Sequence, residues 1–387
     1  MKVLYITHYT QMYGANLSLI QLIIELIPRG IEPIVILPPL KGELFNELKR
    51  NNISYYTYRI YSWSGKKTIF FLDYIKGILK CIITIINTFL LFRRLKYENI
   101  SLIHTNSSVT YIGVYLKYWF KIPHIWHLRE FGYKDYQLRY LYGQCFTSFI
   151  MNRGGDRFIA ISQAIANHYS HFIDKNKIDI IYNGISDSII YEDISPIRRN
   201  QIFQICILGG ITEGKNQLEV IKALYILKQR NILQKICLNI VGSGSSNSYL
   251  NKITHFIKEK KLIDEVRFWG YQSNITQILI NMDMAIVPSI CEGFGRVTIE
   301  YMLHKVPVIA SETGANSELI KSHETGLLYS LEDESALAEA MYELMINENK
   351  RIQLAKNAYI MAKAKFISSI NTNKIFELYQ QILIHSN

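Results

Sequence analysis

At 387 residues, with 49% hydrophobic side chains and a net charge of +11, the chain is long enough for two domains with buried cores and too apolar for disorder. Five cysteines, odd in number and without C-x-x-C spacing, argue against a disulfide framework or a zinc knuckle and fit a reducing, cytoplasmic setting. The charge is uneven: between Tyr61 and Tyr140 twelve Lys or Arg face four acids, which suits nucleic acid, anionic lipid or a phosphorylated substrate alike.

The N-terminal "MKVLYITHYT" has too short an apolar run for a secretory leader and reads as a first strand, so no secretion is expected. "KVLYIT", "EPIVIL", "SLIHT", "HIWHL", "RFIAIS" and "IDIIYN" read as strands, and 16–28, 109–119, 136–150 and 162–172 as helices. That alternation means a parallel sheet with helices on both faces. "GILKCIITIINTFLLF", interrupted by Lys80 and followed by Arg93 and Arg94, falls short of the roughly 20 apolar residues of a membrane span. It reads as a core helix with one face available to a membrane surface.

"SDSIIYEDISPIRRNQ" looks like a linker, after which the alternation restarts with "FQICIL", "ICLNIVG", "VRFWG", "MAIVPS", "VPVIA" and "GLLYS". The chain from Asp333 onward reads as helical. The expected organisation is α/β, with a Rossmann-like domain at 1–185, a linker at 186–203, a second Rossmann-like domain at 204–365 and a closing helix at 366–387. Ligands of such sheets lie at the carboxyl ends of the strands, so two in tandem suggest a cleft with a ligand bridging both.

"ICILGGITEGKNQ" has the G-x-x-x-x-G-K spacing of a nucleotide-binding P-loop, from Gly209 to Gly214 and Lys215. It fails as one. Asn216 stands where a hydroxyl should hold Mg²⁺, and no later strand ends in the aspartate that a P-loop enzyme needs. A richer cluster is "VPSICEGFGRVTIEYMLHKVPVIASETGANSELI", where Glu292 leads a turn through Gly293 and Gly295 into a helix carrying Glu300. The N–H groups of Phe294, Gly295, Arg296 and Val297 form a positive concavity suited to phosphate, and the flanking carboxylates can accept from sugar hydroxyls. Phosphate between two polyols describes a sugar nucleotide.

Here the sequence resembles the retaining GT-B glycosyltransferases, above all glycosyltransferase family 4. Glu292 and Glu300 match the family's E-x7-E signature, and "PSICEGFGRVTIEYM", "PVIASETGANSELI" and "TGLLY" match its donor half. The resemblance implies a GT-B fold, two Rossmann-like domains facing each other across a cleft. It makes the first domain the acceptor domain and the second the nucleotide-sugar donor domain, with Glu292 contacting the transferred sugar and Glu300 the ribose. Lys215 matches the lysine of the family's G-R-x-x-x-x-K loop. Gly209 and Gly210 stand where its arginine belongs, so the diphosphate falls to Lys215, the loop amides and Asn216. Arg296 is a candidate replacement, against the alternative in which Phe294 buries and Arg296 faces solvent. Tyr271 sits where the family cradles the base, with a plain packing role as the alternative.

In the first half, Gly14 in "YGANLSLIQLII" matches the family's N-terminal glycine loop, and His127 in "PHIWHLREFG" its catalytic-loop histidine. His104, Asn106 and Arg129 are expected on the acceptor side, while Ser162 and the Asn183-Gly184 turn read as structural. No D-x-D occurs, so no metal or other cofactor is expected. The implied partners are a nucleoside-diphosphate sugar, a glycan or polyprenyl-linked acceptor and an anionic membrane surface. No nucleic-acid motif accompanies the charge. A sugar-nucleotide epimerase and a catalytically silent binding partner are the rival readings.

Overall fold

The runs 3–6, 34–37 and 284–287 are buried at every position, as strands covered on both faces by helices must be. A computed structural model describes residues 1–66, 71–190, 202–230, 235–244 and 247–386. The chain divides into two units, Met1–Gly184 with Ser368–Asn387, and Ile185–Ile367.

The first unit contains β1 (Lys2–Ile6), β2 (Glu32–Leu37), β3 (Ser54–Thr57), β4 (Ser64–Lys66), β5 (Leu102–Thr105), β6 (His124–Leu128), β7 (Leu138–Tyr140), β8 (Arg157–Ala160) and β9 (Ile178–Ile180). Seven of these form a parallel sheet in the order β3-β2-β1-β5-β6-β8-β9, and β4 pairs antiparallel with β7. From β1 the chain builds outward in one direction through β2 and β3, and in the other from β5. The β1/β5 edge is therefore the switch point at which such sheets open a crevice.

The second unit contains β10 (Ile202–Leu208), β11 (Lys235–Val241), β12 (Val266–Gly270), β13 (Met284–Val287), β14 (Val308–Ser311) and β15 (Leu327–Tyr329). They form a parallel sheet ordered β12-β11-β10-β13-β14-β15, with its switch point between β10 and β13.

Helix bounds depart from the pattern where the chain supplies a local stop. The stretch expected as one helix over 136–150 holds β7 and then the helix Gln144–Gly154, because Gly143 takes φ +79°, a conformation open to glycine. The expected helices at 16–28, 109–119 and 162–172 lie at Gly14–Leu26, Ile112–Phe120 and Gln163–Tyr169. Ser162 caps the last of these by accepting from Ile165 N–H. Of the expected linker, 191–201 lies outside the described residues, as does Lys67 of the basic stretch; Ile202 and Phe203 already belong to β10.

Two helices of the first unit bear on function. The C-terminal helix Ser368–Ser386 packs on Gly14–Leu26 and buries Ile375, Leu378, Tyr379 and Ile382 in the same core as β1. A Cβ on Gly184 would lie 2.3 Å from Ser368 Cα, so only glycine admits that helix start. The helix Phe71–Leu95 buries Gly77, Thr84, Thr88, Leu91 and Leu95, and leaves Ile78, Ile82, Ile83, Ile86, Phe89 and Leu90 exposed. No helix among the described residues is long and apolar enough to cross a membrane.

Candidate functional site

In the second unit the loop after β10 and the turn after β13 meet at the switch point. Gly209 leaves the strand at φ +130°, and its N–H donates to Val241 O, holding the loop to β11. Thr212 caps a short turn by accepting from Lys215 N–H, and the turn ends on Asn216 at φ +49°. Asn216 thus occupies the left-handed region that asparagine tolerates better than serine or threonine, which accounts for its place in the loop. Its side-chain amide donates to Glu219 at 2.6 Å, so Asn216 braces the loop through its side chain. Glu219, buried, also accepts from Tyr329 O–H and Glu332 N–H.

Lys215 Nζ lies 2.6 Å from Glu292 Oε2, and Ile290 N–H donates to Gly214 O, so loop and turn are tied by side chain and backbone. The helix Arg296–Leu303 starts at Gly295 with φ +84° and no side-chain cap, leaving its first N–H groups to solvent or an anion. Arg296 Nε lies 2.9 Å from Glu300 Oε1. Phe294 is buried against Phe366, while Arg296 turns to Glu300 instead of facing solvent. Burial pushes the Glu300 carboxyl up, and the Arg296 guanidinium opposes this in part.

The segment 311–316 cradles the turn. Ser311 and Thr313 hydroxyls both donate to Ser289 O at 2.7 Å, and Ala315 N–H donates to Glu292 O at 2.8 Å. A Cβ on Gly314 would stand 2.3 Å from Glu292 O, so this close approach requires glycine. Tyr271 is 76% exposed, which rules out the packing alternative. A Cβ on Gly210 would meet nothing closer than Ser243 O at 3.7 Å, and Val297 is half-buried in the first turn of its helix.

In the first unit the residues expected on the acceptor side converge on one another. His127 is the penultimate residue of β6 and His104 that of β5; both are buried, with His104 Nε2 3.1 Å from His127 Nδ1. Asn106 Oδ1 accepts from Arg129 Nε at 2.8 Å, and Arg129 also donates to Asn183 Oδ1. Burial holds both imidazoles well below the ordinary histidine range, and the Arg129 cation lowers them further. Asn183, read as structural, thereby reaches the cluster through Arg129. A cavity of about 20 Å³ lies beside His127 and Arg129, lined also by Ser18, Asn183 and Asn371. Ser18 Oγ, His127 Nε2 and both side-chain polar atoms of Asn371 are buried without a hydrogen-bond partner. Gly14, which opens the helix Gly14–Leu26, has nothing within 4 Å of where a Cβ would stand.

A model of glycosyl transferases group 1 matches 193–361, and one of Glycosyltransferase Family 4 matches 12–188. The chain is a GT-B glycosyltransferase of family 4. A UDP-Gal:alpha-D-GlcNAc-diphosphoundecaprenol alpha-1,3-galactosyltransferase of Escherichia coli is 25% identical over 323 residues, covering 76% of this chain and 79% of that one. The capsular polysaccharide biosynthesis glycosyltransferase CapM of Staphylococcus aureus is 25% identical over 59% of this chain, a match spanning 62% of that protein's length. Among solved structures, Anabaena HepE in complex with UDP superposes with a TM-score of 0.82 at 20% identity, covering 98% of this chain and 100% of that one.

In this glycosyltransferase, the sequence pairs Glu292 with Glu300 and points to Lys215 and Arg296 separately, and the fold joins Lys215 to Glu292 and Arg296 to Glu300 in two ion pairs. Glu219, Gly314 and Tyr379 went unnoticed. "ETGANSEL" did carry one signal, a Gly-Ala pair opening a short helix, but the partner that makes Gly314 obligatory lies 22 positions away.

Proposed function

We propose that the chain is a retaining transferase that moves a hexose-type sugar from a nucleoside-diphosphate sugar to a glycan or polyprenyl-linked acceptor in bacterial surface polysaccharide synthesis. The observation that carries this reading is the pair Glu292 and Glu300 flanking an uncapped helix start, each held by a cation. The uncapped N–H groups and Lys215 suit a diphosphate, and two carboxylates with remaining acceptor capacity suit hydroxyls of the sugar and the ribose. The E. coli relative is named for a UDP-sugar donor and a lipid-diphosphate acceptor, and the HepE structure is a complex with UDP, both in keeping with this donor class.

For the chemistry we favour same-face substitution. The bond from the anomeric carbon to the donor phosphate breaks as the bond to the acceptor oxygen forms, and the acceptor's proton passes to the departing diphosphate. Lys215 and the helix amides stabilise the charge that grows on the diphosphate, and His127 contacts the reacting sugar. The reaction needs no metal, so activity should survive chelation by EDTA.

The exposed face of Phe71–Leu95 pairs an apolar stripe with exposed Lys76, Lys80, Arg93 and Arg94. That combination suits peripheral attachment to an anionic membrane on the cytoplasmic side, where a polyprenyl-linked acceptor would be found. Flotation with anionic liposomes at low salt tests it: absence of binding counts against attachment.

The transferase reading is tested with a panel of UDP-, GDP- and dTDP-sugars, scored for thermal protection and turnover. One donor should protect the protein and be consumed. Glu292→Ala, Lys215→Ala and His127→Ala should each depress turnover strongly; rates near wild type in all three would end the assignment.

A further inference from the structure

Four buried side chains, Tyr5, Tyr379, His104 and His127, form one chain of contacts that joins the C-terminal helix to β6. Tyr379 O–H donates to Tyr5 Oη at 3.5 Å, and His104 Nδ1 lies 2.6 Å from the same Tyr379 oxygen. On its far side His104 Nε2 lies 3.1 Å from His127 Nδ1. His127 Nε2, buried and without a protein partner, ends the chain beside the polar cavity.

Each contact in such a chain holds one proton, and both imidazoles are kept neutral by burial. The protons must then all run in one sense. If Tyr379 gives its proton to Tyr5, its oxygen can only accept, so His104 carries its proton on Nδ1. His104 Nε2 is then bare and accepts from His127 Nδ1–H, which leaves His127 Nε2 bare as well. In the opposite sense Tyr379 donates to His104, every proton shifts by one atom, and His127 shows an N–H to the cavity.

We propose that Tyr379 and His104 are positioning residues that hold His127 in the Nδ1–H tautomer, with Nε2 presented as a hydrogen-bond acceptor. The C-terminal helix is then a working part of the site, because it supplies the hydroxyl that decides the state of an imidazole 252 positions earlier in the sequence. An acceptor at Nε2 selects a hydroxyl presented proton first, which is what a sugar or a glycan acceptor offers. The consequence for turnover rests on the proposed role of His127; the tautomer itself does not.

The test is long-range ¹H–¹⁵N correlation on the full-length, ¹⁵N-histidine-labelled protein near pH 7.5 without substrate, with the His127 signals assigned by their loss in His127→Gln. Wild type should show protonated Nδ1 and bare Nε2. Tyr5→Phe removes the group that draws the Tyr379 proton, so His127 should swing to Nε2–H. Tyr379→Phe should leave a mixture of tautomers, and lower kcat on the order of tenfold with donor KM unchanged. Unfolding midpoints taken alongside separate these effects from loss of fold. An Nε2–H signal in wild type, or the same His127 tautomer in all three proteins, overturns the proposal. If the tautomers shift as stated while kcat does not, the positioning holds and the role of His127 in transfer fails.

Discussion

Gly314→Ala should damage the second unit of the protein more than any neighbouring glycine substitution. Gly314 sits at φ +52°, where an alanine costs about 1–2 kcal/mol on backbone grounds alone. Its new Cβ would meet Glu292 O at 2.3 Å, Glu292 N at 2.7 Å and Glu292 C at 3.0 Å, all main-chain atoms that no rotamer can move aside. Relief requires the two backbones to separate, which adds roughly 1–3 kcal/mol of overpacking strain. It also breaks the Ala315 N–H to Glu292 O bond, worth about 1 kcal/mol. Strain relief and bond loss overlap, so the total should fall at about 3–5 kcal/mol. Gly214→Ala is the control, because no neighbour lies within 4 Å and its φ is not positive. Urea unfolding of the full chain, with kcat and donor KM at a temperature where both variants stay folded, reads the effect. A Gly314→Ala protein within 1 kcal/mol of wild type, or no less stable than Gly214→Ala, would refute the claim that this contact fixes Glu292.

Gly14→Ala should leave stability unchanged or raise it by up to about 1 kcal/mol, since the position starts a helix and has open space around it. If a ligand approaches that backbone, turnover should fall in the same protein; unchanged turnover would leave Gly14 an ordinary helix start. Glu219→Ala should cost about 2–3 kcal/mol and raise donor KM, because it strands the donors of Asn216, Tyr329 and Glu332 and loosens the turn that ends in Lys215. The protein should also lose stability in mild acid. Burial lowers His124 from an ordinary 6.5 to about 4, so the unfolded chain takes up its proton first as pH falls. Stability is then full above pH 6.5 and lost between 6.5 and about 4, by about 3 kcal/mol from His124, with His104 and His127 acting in the same direction. Urea midpoints that stay flat from pH 7.5 to 4.5 would contradict this.

The sequence exposed the parts of this protein that depend on near neighbours. A strand such as "MAIV" is apolar throughout, and the turn and helix carrying Glu292 and Glu300 are consecutive residues, so both could be read locally. β3 escaped because "SYYT" is a half-exposed edge strand with no buried run to mark it. Asn216 looked like a flaw in a P-loop, since a sequence does not display the left-handed backbone that asks for asparagine. The packing alternative for Tyr271 could be closed only by its exposure. His104 and Tyr379 are 275 positions apart, and nothing in "FELYQQIL" beyond helical periodicity marks that tyrosine as more than a core residue.

The ion pair between Lys215 and Glu292 bears on how a loop without its arginine can serve a diphosphate. The lysine expected to meet the phosphates is already neutralised by the carboxylate expected to meet the sugar. On the proposed function, donor binding is an exchange: Lys215 turns to the diphosphate as Glu292 gains sugar hydroxyls, and neither group is left bare. A nucleoside diphosphate lacking the sugar gains the first half of that exchange and leaves Glu292 to water. Glu292→Gln separates the two halves. It removes the charge that competes for Lys215, and a partly exposed pair of this kind is worth about 0.2–1 kcal/mol. Calorimetric titration with the nucleoside diphosphate of the active donor should therefore show affinity up to about fivefold tighter than wild type. Turnover of the full donor should fall, because the amide accepts hydroxyl protons more weakly than the carboxylate. Weaker diphosphate binding in Glu292→Gln would mean that Glu292 orients Lys215 toward the phosphates instead of competing for it.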